Sequence, residues 1–189
     1  MAWLSEWARD GRSSQEAQAA FATLSPIDPS EIIGAWRGSE LPTRHPLDGL
    51  LAAYGWWGKR FETADEVDPL IFEGRGDLVS VNPGRLPLSL AVAFPHVMRT
   101  AAAADLFRLF LPLLATSQPK ARLRRLEWNG VISAAMIYDD LPIIDHFRRV
   151  DDHRLLGMMD FRRTSQPFFF QLTRAVSGRA AGRTRPQGV

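Results

Sequence analysis

The stretch ARLRRLEW-NG-VISAAMIY, residues 121–138, sets two runs of strand-forming residues on either side of Asn129-Gly130. Asn-Gly readily takes the positive φ angles that a two-residue type I′ turn needs, so the stretch reads as an antiparallel hairpin. Pairing Trp128 with Val131 across the turn fixes the register, and with it both faces. One face carries Arg122, Arg124, Leu126, Trp128, Val131, Ser133, Ala135 and Ile137; the other carries Ala121, Leu123, Arg125, Glu127, Ile132, Ala134, Met136 and Tyr138. Small residues, arginines and aromatics are mixed on both faces. That mixture fits a barrel around a partly polar cavity, and it also fits a sheet half-covered by helices.

Towards the C-terminus, LPIIDHFRRV and HRLLGMMDF join through Asp151-Asp152 as a second hairpin, and FFFQLTR follows as a last strand. Strands joined in succession by tight turns describe a meander, whose open edges must be covered or closed on each other. Towards the N-terminus, SSQEAQAAFATL opens a helix with a capping box of Ser13 and Glu16, and EIIGAWRGSEL reads as a strand broken by glycines. In HPLDGLLAAYGWWGKRF, residues 45–61, Leu47, Leu50, Leu51 and Tyr54 fall at helical spacing, which predicts a helix ending at Gly58. LIFEG and DLVSVN read as short strands around a GRG turn, and the alanine-rich run after Thr100 reads as helix. The expected fold is mainly β with helices (α+β): one barrel domain over residues 13–176, preceded by an arm at 1–12 and followed by a disordered basic tail at 177–189.

At 46% hydrophobic and 23% charged residues, the 189-residue chain has enough apolar material for a core. It lacks cysteine, which excludes disulfides and thiolate metal sites. A net charge of +2 and the lack of any nucleic-acid-binding motif argue against nucleic acid as a partner. The start shows no secretory pattern, so a soluble cytoplasmic protein is expected. The basic end, with Arg174, Arg179, Arg183 and Arg185 and no acid, would permit peripheral contact with an anionic membrane.

GAWRG (34–38) with LPTRHPLDGLL and GWWGKRF resembles the bacterial GXWXG domain, and AAMIYDDLPIIDHFR with LLGMMD and QPFFFQLTR resembles the domain of unknown function that commonly follows it. The order of a helix, a Gly-x-Trp strand and a meander is similar, more loosely, to the calycin barrels, the lipocalins and fatty-acid-binding proteins. That resemblance implies that Trp36 plugs one end of an up-and-down barrel, flanked by Gly34 and Gly38. It also implies that Arg174, near the last strand, lies over the Trp36 ring. It further implies a small hydrophobic or amphipathic ligand, such as a fatty acid or phospholipid, held in the cavity without a cofactor.

For such a ligand the candidate contacts are Trp56, Trp57, Lys59 and Arg60 near one end, with Arg122, Arg124, Tyr138 and His146 on the strands. A competing reading makes the chain an enzyme on a hydrophobic small molecule, with His146 or Asp145 carrying a proton. Neighbours on a strand face opposite sides, so these two cannot both face one cavity. A third reading makes the exposed Trp56 region a protein-interaction surface. The histidines at 45, 96, 146 and 153 have no metal-binding spacing, and no nucleotide or nucleophile motif is present.

Overall fold

A computed structural model of the chain describes residues 2–175. Helices α1 (Ala2–Asp10) and α2 (Ser14–Thr23) lead into β1 (Gly34–Leu41). After α3 (Leu50–Ala53) come β2 (Trp56–Phe61), β3 (Val67–Glu73) and β4 (Leu78–Ser80). Three helices follow, α4 (Leu88–Ala93), α5 (Pro95–Met98) and α6 (Ala101–Leu114). The chain closes with β5 (Ala121–Trp128), β6 (Val131–Tyr138), β7 (Ile143–Asp151), β8 (Arg154–Phe161) and β9 (Phe168–Arg174).

The sheet is an antiparallel up-and-down barrel of eight strands. β5 to β9 pair in succession, β9 pairs with β1, β1 with β2, β2 with β3, and β3 returns to β5. Closure between β3 and β5 is brief: Val67 pairs with Ala121, and further along the same edge Ile71, Phe72 and Glu73 pair with β4 instead. The wall therefore parts between β3 and β5, and the segment from β4 to α6 is inserted there.

The hairpin at 121–138 has the expected register, with Trp128 opposite Val131 and positive φ at Asn129 and Gly130. The Ser13–Glu16 capping box is formed, and Ala2–Asp10 form helix α1 ahead of it. The basic tail lies outside the described residues.

One expectation is corrected. Residues 56–61 are strand, not the end of a helix; only Leu50–Ala53 form a helical turn before Gly55 reverses the chain at φ +78°. The i, i+3, i+4 spacing was satisfied by a bend and a single turn. The aromatic pair Trp56-Trp57 has the strand preference of its residue type.

Two apolar layers result. The interior holds Trp36, Phe61, Phe72, Met136, Phe147 and Phe170 among others. A second layer lies outside the wall, where α1 and α2 bring Leu4, Trp7, Ala17 and Phe21 onto Leu156, Met158 and Phe169. Strands covered on both sides lose the alternation of a half-wet sheet.

Candidate functional site: the barrel interior and its helical cover

Trp36 closes the lower interior. Its ring is buried, Nε1 donates to Ile32 O at 2.7 Å, and the Arg174 guanidinium lies 4.3 Å from its centroid. Arg174 also donates to Ile33 O at 3.0 Å and Glu31 O at 2.6 Å, which holds it across the ring. The flanking glycines have separate tasks. Gly34 takes φ +123° with the Arg174 side chain beside it, whereas a Cβ at Gly38 would overlap the Trp56 ring.

Above that floor, β2, β6 and β7 bring three polar side chains together inside the wall. Lys59 Nζ lies 2.8 Å from Asp145 Oδ2, with side-chain exposures of 2% and 1%. The same ammonium donates to Pro69 O at 3.0 Å and to the Tyr138 hydroxyl at 3.3 Å. The rings of Phe170, Trp56 and Tyr138 surround it at 5.0, 5.6 and 5.6 Å. Burial pushes the Lys59 ammonium below the usual lysine range against the pull of Asp145, and pushes Asp145 upward against the pull of Lys59. Burial and then the Asp145 charge raise Tyr138 well above its ordinary value.

A cavity of about 50 Å3 adjoins the cluster, lined by Lys59, Tyr138 and Asp145 on one side and by apolar residues including Leu70, Phe161 and Phe170 on the other. Leu50, Leu51 and Leu88 form part of its wall. The same three leucines also line a larger apolar groove of about 390 Å3 under α4, α5 and α6. There Phe107 packs edge-on against Tyr54 and Phe72, with centroids 4.7 and 4.9 Å apart.

The expected ligand contacts are thus sorted by the fold. Trp56, Lys59 and Tyr138 line the interior cavity. Trp57 and Arg60 are buried in β2 outside that lining, and Arg60 faces Glu62 and Asp68 at 3.7 and 3.9 Å. Arg122 and Arg124 point outward, paired with Asp139 at 3.0 Å and Asp65 at 2.7 Å. His146 faces the outer layer beside Trp128, and burial lowers its pKa. Asp145 points inward, so the two members of the Asp145-His146 pair stand on opposite sides of the wall and cannot act on one bound molecule. From the sequence Asp145 was expected only as a proton carrier. Its role as the partner of Lys59 needed the closed barrel to be seen.

Among the described residues no group of histidine and carboxylate side chains is arranged to hold a metal. No helix among them is long and apolar enough to cross a membrane.

Two family models match the sequence, the GXWXG protein over residues 19–76 and a domain of unknown function, DUF4334, over residues 119–174. A crystal structure of a protein from Thermomonospora curvata is similar at 31% identity and a TM-score of 0.64, over 86% of this chain and 87% of that one. No curated protein matches the sequence.

Proposed function

This chain belongs to the GXWXG protein family, and we propose that it binds a small, largely apolar ligand at the covered mouth of its barrel. One observation carries this reading: Leu50, Leu51 and Leu88 are a shared partition between the outer apolar groove and the inner cavity that ends on Lys59, Tyr138 and Asp145. An apolar channel that ends on a few converging polar groups is the usual composition of a small-molecule site. The inner cavity alone has room for only a few waters, so a ligand's apolar body belongs in the outer groove. The partition sits on α3 and α4, helices of four and six residues, and short helices shift at little cost. Fatty acids and phospholipids have the right apolar body for the groove.

Nile red is a suitable probe of the channel. Bound one to one, it is expected to shift its emission to the blue, and Leu51→Trp, which fills the partition, to weaken binding by about tenfold or more. Failure to bind the dye, or equal binding by the filled variant, would overturn the reading.

A further inference from the structure

We infer that the polar end of the ligand is an uncharged hydrogen-bond donor, as in an aliphatic alcohol, and that it binds Asp145 Oδ1; this rests on the channel reading above. An ammonium has three N–H donors, and three oxygens stand round that of Lys59: Asp145 Oδ2 at ion-pair distance, and Pro69 O and the Tyr138 hydroxyl as hydrogen-bond acceptors. The lysine has nothing left to offer an incoming anion. Asp145 is buried beside the cavity, and beyond the Lys59 ammonium and the Tyr138 hydroxyl that face its carboxylate no donor reaches Oδ1 with hydrogen-bond geometry. A buried carboxylate oxygen in that state calls for a partner. The Lys59–Asp145 pair carries no net charge, whichever member holds the shared proton. A carboxylate ligand would therefore be stripped of water without meeting a free cation.

The test uses three molecules of matched length, 1-decanol, decyl methyl ether and decanoate, displacing Nile red at pH 7. Decanol is expected to compete at about tenfold lower concentration, or less, than either of the others, the scale of one hydrogen bond to a charged acceptor. Asp145→Asn leaves the Lys59 charge without its counter-ion, and the order is expected to invert, with decanoate ahead of decanol. The wild-type series decides the matter even if that variant fails to fold. Equal displacement by all three, or decanoate first in the wild type, would overturn the head-group assignment alone. A protein that binds neither Nile red nor any of the three overturns the channel reading along with it.

A separate observation concerns the cover. Leu90, Phe94, Val97, Leu106, Leu109, Phe110 and Leu113 are all exposed, Leu109 at 63% and Leu113 at 69%, and all lie on or between α4, α5 and α6. On α6, Ala104, Phe107 and Leu111 are turned to the protein, Leu106 and Phe110 border the groove, and Leu109 and Leu113 are turned outward, beside an exposed Asp105–Arg108 ion pair. Beside that ion pair the exposed apolar side chains of this cover form a patch, and such a patch marks a contact surface. Two cations border it, both held by carbonyl oxygens: Arg85 donates to Leu113 O, and Arg99, which also feels the Asp48 carboxylate, donates to Asp48 O and Pro46 O. The geometry points to docking of this cover on an anionic lipid surface, directly over the groove a lipid-borne ligand would enter.

Flotation with phosphatidylcholine vesicles containing one quarter phosphatidylglycerol tests this. Binding is expected to exceed that to pure phosphatidylcholine about tenfold, to fall with salt, and to be lost in Leu109→Asn/Leu113→Asn. No flotation with either vesicle overturns the proposal. So does a stable dimer in solution that the same substitutions dissolve, since a second copy would then be the occupant of the face.

Discussion

At Gly38 the wall is thinned so that a ring can lie flat on backbone. The Trp56 indole fills the space a Cβ would take, and its Nε1 donates to Gly58 O at 3.0 Å. Gly38→Ala must push that ring aside, and overpacking of this kind costs about 1–3 kcal/mol. Because Trp56 also lines the cavity, the same substitution is expected to weaken Nile red binding, measured beside urea denaturation. His45 makes the second residue-scale prediction. It is buried, its Nδ1 accepts from the Leu47 amide at 3.1 Å, and burial holds its pKa down at about 4 against an ordinary 6.5. Below about pH 6.5 the unfolded chain takes up a proton that the folded chain refuses. The associated stability is complete above 6.5 and drains away as pH falls towards 4, by up to roughly 3 kcal/mol. Unfolding free energies between pH 7 and 4 should show that loss. In His45→Asn, whose amide keeps an acceptor near Leu47, the slope should flatten.

Among the elements, α1 is the cleanest case of a part that stabilises without touching the channel. Trp7 is 1% exposed, donates to Pro42 O at 3.0 Å and packs on Phe169 at 5.5 Å, all on the outer side of the wall. Trp7→Ala is expected to cost about 3–5 kcal/mol in denaturant while leaving Nile red affinity unchanged. A parallel loss of binding would show that the two layers are coupled. The same double covering explains what the sequence concealed. The hairpin at 121–138 and the Ser13–Glu16 cap depend on local chemistry and were legible, as was the alternation of Asp145 and His146. Which of those two faced inward was not, because Leu156, Met158 and Phe169 make the outer face of the neighbouring strands as apolar as the inner one. β2 was hidden for another reason: Leu47, Leu50, Leu51 and Tyr54 belong to a bend and one short helix, yet share the spacing of a longer one. The placing of Lys59 inside the barrel was lost with that strand.

For the whole molecule, closure is what brings β2 against β7 across the interior and so creates a buried ion pair between segments far apart in the chain. Burying two charges is costly, and a pair of this kind is weak evidence for stability and better evidence for use. The two purposes separate in a double-mutant cycle. Lys59→Met leaves the Asp145 carboxylate alone in an apolar interior and is expected to cost about 3–5 kcal/mol near pH 8. Removing the cation raises the folded-state pKa of Asp145 further, so the penalty should shrink as acid protonates it; at pH 5 the variant should stand closer to wild type. Lys59→Met/Asp145→Leu replaces both charges by apolar groups of similar bulk and is expected to return to within about 1 kcal/mol of wild type, or above it. If the pair exists to hold the barrel together, the double variant should be as unstable as the single one. If it exists to meet a ligand, the double variant should be stable, bind Nile red, and no longer distinguish decanol from its methyl ether.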